Sequence, residues 1–312
     1  MAELHPSMRA VLEQLAAARQ GLPNRYDLPF PEARAQLLME RQPWLADGPA
    51  CPSHERAVQA SGRSFGMRVY RPENLSGRYL LVYLHGGGWC VGSSATHDGI
   101  VRRLACGLAC ETWSIDYALA PEAPCPAGLL DSIAAVELAA REHPGLRLVV
   151  AGDSAGANLA LEVALCLRDQ GLSLINALLL FYGVYTDDCS GASMEMYGDG
   201  RYGLSLQAHR RYLDAYMGPS AQDSPDAGGA FALRDDVNLS GLPRSWLTVA
   251  ELDILRDQSH RLAEKIRQVG GVVHVDEVAG VIHGFLSYGR TLPQVGTALD
   301  AAIQWLRGND AG

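Results

Sequence analysis

Residues 147–165 read RLVVAGDSAGANLALEVAL. Leu148, Val149, Val150 and Ala151 form an apolar, partly β-branched run of strand length. Gly152-Asp153-Ser154-Ala155-Gly156 interrupts it, and an apolar helical pattern starts at once with Ala157, Leu159, Leu161 and Val163. A strand that turns straight into a helix holds the residue at the corner in a strained conformation, with its side chain exposed. Here that residue is Ser154, a nucleophile, set at a helix N-terminus that favours negative charge. The residues around it are small because the chain passes close to its neighbours.

Working outward, strands are expected at 56–60, 66–71, 79–84, 112–116, 177–182, 245–250 and 272–278, besides 147–151. Helical patterns occupy 7–20, 31–41, 97–109, 128–142, 155–169, 257–269 and 294–307. Strands alternating with helices of ten or more residues indicate a mostly parallel sheet with helices on both faces, and the first strands, joined without a helix, indicate an antiparallel edge. The alternation stops at 183–243, where DDCSGAS, YGDGRYG and DSPDAGGA surround one clear helical segment near 205–217. Insertions of this kind lie over the carboxyl edge of an α/β sheet, where sites form. The 312 residues are therefore read as a single domain, 1–312, with cap pieces at about 1–45 and 183–235.

A serine becomes an effective nucleophile only when a base takes its proton and donors hold the charge that develops on the substrate. The stretch YLLVYLHGGGW at 79–89 supplies donors: a strand ends in His85, Gly86, Gly87, Gly88 and Trp89, and glycine amides can approach an oxyanion unobstructed. Gly87 and Gly88, with the amide of Ala155, are the expected oxyanion hole. His85 is expected to brace that loop, beside Gly86 and Asp153. In α/β hydrolases the order along the chain is Ser, then Asp or Glu, then His, each after a strand. His283, in GVIHGF, is the one histidine past the last expected strand; His274 lies within that strand, and His209 and His260 fall on helices where a solvated face is expected. The acid comes from AELDILRD: Asp253 sits in the turn, Glu251 at the strand end as a supporting group, and Asp257 where a helix would be capped. The expected catalytic set is Ser154, Asp253 and His283. Trp89 and Tyr185 are expected to line the substrate pocket, closed over by cap side chains drawn from Leu12, Leu15, Trp44, Tyr197, Tyr202, Tyr212 and Tyr216.

Composition narrows the partners. A net charge of −9 excludes the basic surface that nucleic acid demands. No apolar run nears the roughly 20 residues of a membrane span, and the N-terminus MAELHPSMRA lacks a signal-peptide pattern. Seven cysteines, none in a metal-ligand spacing, read as buried free thiols in a reducing compartment, so a cytoplasmic protein is expected. Nucleophile, base and oxyanion donors all come from the chain, so no metal and no organic cofactor is expected. The expected partner is a small-molecule ester, with homodimerisation left open.

Together HGGGW, Thr96-His97-Asp98, DYALAPE at 116–122, GDSAGANLA and HGF resemble, in content and order, the hormone-sensitive-lipase-like bacterial esterases of the GDSAG branch. The resemblance covers roughly 55–310 and, more loosely, the N-terminal helices, which form part of a cap in that family. It implies an α/β-hydrolase fold, a triad on Ser154, Asp253 and His283, an oxyanion hole from the HGGG loop plus Ala155, and short acyl esters as substrates. Ala118, Ala123 and Cys125 replace the family's usual Arg, His and Phe, Ile254 its usual Pro, and Ala157 its usual Gly. None of these removes a catalytic group. An aryl formamidase would share the same machinery, and HGGGW also fits its HGGxW pattern, but the full motif set favours the esterase. A non-catalytic receptor on this fold would lack the triad histidine, which His283 supplies. An acyl optimum of about four to eight carbons is expected, since each buried methylene contributes roughly 0.8 kcal/mol until the pocket ends.

Overall fold

The structure is a computed structural model and describes residues 3–45, 48–218 and 231–308. Residues 219–230, which fall within the expected second cap piece and hold all of DSPDAGGA, lie outside the described residues. Eight strands form one sheet: β1 Ser53–Ala60, β2 Arg63–Tyr70, β3 Tyr79–Leu84, β4 Glu111–Asp116, β5 Arg147–Asp153, β6 Ile175–Phe181, β7 Arg244–Leu252 and β8 Val273–Ile282. Their order is β1-β2-β4-β3-β5-β6-β7-β8. β1 and β2 pair antiparallel, as do β2 and β4, and every later pairing is parallel. The antiparallel edge and the parallel body are those the connections imply.

The helices are α1 Pro6–Ala18, α2 Phe30–Leu45, α3 Asp98–Leu108, α4 Ala127–Glu142, α5 Ala155–Asp169, α6 Ala192–Tyr197, α7 Leu206–Met217, α8 Arg256–Gln268 and α9 Gln294–Gly308. Every residue of β3 is buried, because helices cover both faces of the sheet there. α3 packs with α9, and α4 with α5. Two expectations shift. α2 continues through Pro43 to Leu45, and α6 was missed because six residues are too few to show a period. Among the described residues no helix is long and apolar enough to cross a membrane.

Parallel pairing brings the carboxyl ends of β3, β5, β7 and β8 to one edge. Leu84, Asp153, Leu252 and Ile282 end those strands, and His85, Ser154, Asp253 and His283 follow them directly. Residues spread over almost 200 positions of sequence are thus delivered to one place by strand register.

α5 also carries an acid into the core. Glu162 is 2% exposed and its Oε1 has no hydrogen-bond partner among the described residues. Burial, only partly offset by Arg234, pushes its carboxyl from 4.5 up to about 8. The folded chain therefore keeps a proton that the unfolded chain sheds. Stability from this group is complete below about pH 4.5 and is lost as pH rises toward 8. Glu162→Gln is expected to melt about 2 °C or more above the parent at pH 8, with a smaller difference at pH 5. Calorimetry at the two pH values checks this, and equal shifts at both would show that ionisation is not the cause.

Candidate active site

Ser154 heads α5 with φ 54° and ψ −120°, a conformation L-residues rarely adopt. The strain is held from several sides. Its N–H donates to the Phe181 carbonyl (2.8 Å), and its carbonyl accepts from Ala157 N–H (3.1 Å). α5 can start this close to β3 only because position 156 is glycine: a Cβ there would lie 1.9 Å from the Leu84 carbonyl oxygen. The strain aims Oγ away from the sheet edge, where it lies 2.9 Å from Nε2 of His283.

His283 follows β8. Its Nδ1 donates to Oδ2 of Asp253 (2.7 Å), which leaves Nε2 free to accept the serine proton. Asp253 is 2% exposed, and its other oxygen accepts the Leu255 N–H at 3.0 Å. Glu251 accepts the Gly280 N–H (2.7 Å), tying the end of β7 to the approach of the His283 turn. Asp257, on α8, accepts from the N–H of Ser193 (2.8 Å) and anchors the start of α6. His274 stacks on Trp246 at 4.4 Å, a packing role.

The HGGGW loop is fixed from beneath. Oδ1 of Asp153 accepts from the Gly86 N–H (2.8 Å) and the Tyr83 hydroxyl (2.7 Å), and His97 Nε2 lies 3.4 Å away. Burial alone would raise the Asp153 carboxyl, but His97, Tyr83 and Gly86 outweigh it and hold it down at about 2. His85 donates from Nδ1 to the Gly86 carbonyl (2.9 Å) and stacks on Tyr117 at 4.3 Å, while the Tyr117 hydroxyl donates to the His85 carbonyl (2.6 Å). Burial and the neighbouring His97 push its imidazole down to about 4, so at neutral pH it is an uncharged brace. Above this footing, Gly87 (φ 127°) and Gly88 (φ 58°) turn the chain across the front of Ser154. Neither of their N–H groups donates to a protein acceptor among the described residues.

A cavity of about 90 Å³ opens onto Ser154 and His283 and is walled by Gly86, Gly87, Gly88 and Trp89. Trp89 is held by its indole N–H to Asn158 Oδ1 (3.2 Å) and by stacking on Tyr216 at 4.2 Å. Residues from the N-terminal segment (Arg25, Leu37 and Arg41) and from the segment after β6 (Leu204, His209 and Tyr212) complete the wall. Tyr212 is the one aromatic named from the cap sequence that reaches the cavity. Tyr185 does not reach it, being fully buried with its ring over Gly183.

His209 is a second correction. It is not on a solvated face but 3% exposed and part of the cavity wall, and burial, with His283 nearby, pushes its imidazole down to about 4. The signal was present: Tyr212, Leu213 and Tyr216 follow it at helical spacing and are buried with it on α7. Arg25, in the turn between α1 and α2, and Arg41, on α2, carried no such signal, since an arginine outside the apolar pattern reads as solvated.

Residues 81–287 match the family model described as the α/β-hydrolase fold. An acetyl esterase of Salmonella typhi is 32% identical over 278 residues, 87% of this chain and 83% of that one. The chain belongs to the hormone-sensitive-lipase-like family of α/β hydrolases. Solved esterase structures superpose over nearly the whole chain. An ester-hydrolase from the metagenome of Lake Arreo, complexed with a bipyridine phosphonate derivative, is 31% identical with a TM-score of 0.89, covering 99% of this chain and 100% of that one. A hyperthermophilic esterase from the archaeon Pyrobaculum calidifontis is likewise 31% identical, with a TM-score of 0.87 and coverage of 98% and 99%. The chain carries the family's motifs in order, from HGGGW to HGF, with the departures at Ala118, Ala123, Cys125, Ala157 and Ile254.

Proposed function

We propose that the protein is a serine carboxylesterase that hydrolyses short-chain acyl esters through an acyl-enzyme. That it is a carboxylic ester hydrolase follows from its family and its esterase relatives. The observation that carries the serine mechanism is the unbroken relay Ser154 Oγ–His283 Nε2 (2.9 Å) and His283 Nδ1–Asp253 Oδ2 (2.7 Å), opening onto a walled cavity.

In this reading Ser154 attacks the ester carbonyl as His283 takes its proton, and Asp253 fixes the tautomer and stabilises the imidazolium. The N–H groups of Gly87, Gly88 and Ala155 receive the oxyanion. His283 then protonates the departing alcohol, and water enters by the same route to free the acid. The segments 1–45 and 183–235 act as the cap. Supporting this, Arg34 of α2 donates to the carbonyls of Cys90 (2.7 Å) and Ala120 (2.9 Å), tying the first piece to the oxyanion loop. Arg211 of α7 donates to the carbonyls of Tyr26 and Leu28, joining the two pieces.

Chain length follows from size. Clefts for drug-sized ligands run to roughly 300–1,000 Å³, and about 90 Å³ supports the short end of the range read from the sequence. Activity on p-nitrophenyl esters is expected to peak near butanoyl, the four-carbon end of that range, and to fall steeply beyond about eight carbons, where added methylenes no longer find a wall to bury against. An organophosphate should stop turnover and label Ser154, read by peptide mass spectrometry. A label on another residue, or an optimum at twelve carbons, would overturn this reading. An aryl formamide preferred over p-nitrophenyl acetate would instead make the enzyme an amidase.

A further inference from the structure

The cavity beside Ser154 carries an excess of positive charge, in a protein whose overall charge is −9. Arg25 and Arg41 both line it. Among the described residues the one carboxylate in the wall is Asp153, already committed to Gly86, Tyr83 and His97. Behind the wall, Glu40 is shared: it accepts from Arg19 (2.7 Å) and Gln36 (2.9 Å), and Arg25 Nε reaches it only at 3.4 Å. Arg41 has no carboxylate at all among the described residues. Its guanidinium lies over the Tyr288 ring, 5.1 Å from the centroid, and its Nε is buried without a hydrogen-bond partner.

A buried donor left unmade is costly until an acceptor meets it, and Arg41 Nε, on a half-buried side chain, is such a donor. An arginine fork matches a carboxylate in a planar, two-point contact. We propose that the cavity selects esters that themselves carry a free carboxylate a few atoms from the scissile carbonyl, and that Arg41 is the residue that selects them, with Arg25 supporting. The proposal rests on the esterase reading above and deepens it to a substrate class. The carboxylate can be on the acyl side, as in the monoester of a short dicarboxylic acid, or on the alcohol side, as in an acylated hydroxy acid. Both present the same anion to the same fork.

Two matched pairs test this on the full chain: monomethyl against dimethyl succinate, and O-acetyl lactate against its methyl ester. In at least one pair the anionic member is expected to have the higher kcat/KM, by about tenfold. Arg41→Gln should lower that anionic-to-neutral ratio by about tenfold or more, and Arg41→Lys by less, since it keeps the charge and loses the fork. If Arg41 only clamps the cap through Tyr288, both members of each pair fall together and the ratio stays put, which overturns the proposal. So does a parent enzyme that prefers the neutral member of both pairs. Hydrolysis of p-nitrophenyl acetate alongside either result keeps the esterase reading and rejects this one alone; no hydrolysis of any of these esters rejects both.

Discussion

Ser154→Ala is expected to lower kcat on p-nitrophenyl butanoate by about 10⁴–10⁶ while leaving the fold intact. The size of the effect follows from what Oγ does. It is the atom that would bond to the acyl carbon, and the one hydrogen bond it makes among the described residues is to His283 Nε2 at 2.9 Å. Removing it deletes the covalent route rather than weakening one interaction. The fold should survive because the corner is held by the backbone, through Ser154 N–H to Phe181 and by the close approach of Gly156 to β3, and neither needs the hydroxyl. His283→Ala should cost a similar factor, and the double variant little more than either alone, since nucleophile and base act as one unit. Asp253→Asn should cost about 10⁴ by presenting the wrong tautomer. Rates are measured beside a thermal melt. A folded Ser154→Ala protein that keeps a tenth of the parent rate would end the assignment.

The fold and the relay could be read in the sequence because both rest on local, periodic signals. All eight strands were marked by apolar runs between glycines and turns, and the parallel order followed from helices between them. Ser154, Asp253 and His283 were legible because each directly follows a strand, and strand ends are where a parallel sheet gathers its side chains. The cavity wall was not legible to the same degree. Tyr185 lies three residues after the strained Tyr182 (φ 38°), and a turn of that kind decides where a ring goes without leaving a periodic trace. Arg41 sits on α2 and His209 on α7, and which face of these helices looks inward depends on how two distant segments dock. The Arg211 contacts across more than 180 residues set that docking, and no local pattern encodes them.

Gly87→Ala is expected to lower kcat by about 10²–10³ or more, the cost of losing an oxyanion donor, through backbone geometry alone. The φ of 127° at this position is outside what an L-residue adopts. A Cβ built there would lie 2.0 Å from the Val91 carbonyl oxygen. Nothing flexible can yield, because the obstacle is backbone and the Gly87 carbonyl itself accepts from the Cys90 (3.2 Å) and Val91 (3.0 Å) N–H groups. The methyl group must therefore force the turn over 87–91 open, swinging the Gly87 and Gly88 N–H groups off the serine. Donors stabilise the developing oxyanion only at about 2.7–3.1 Å, so a displacement of about 1 Å forfeits most of their contribution. The comparison that isolates this cause is Gly284→Ala. That residue also has positive φ (73°) and neighbours His283, but a Cβ there meets nothing within 4 Å. It should cost about 1–2 kcal/mol of stability from left-handed strain and far less kcat. Steady-state rates, with organophosphate labelling of Ser154 to show that the nucleophile and base still function, separate the two. A folded Gly87→Ala enzyme with kcat within tenfold of the parent would place the oxyanion hole elsewhere than the HGGG loop.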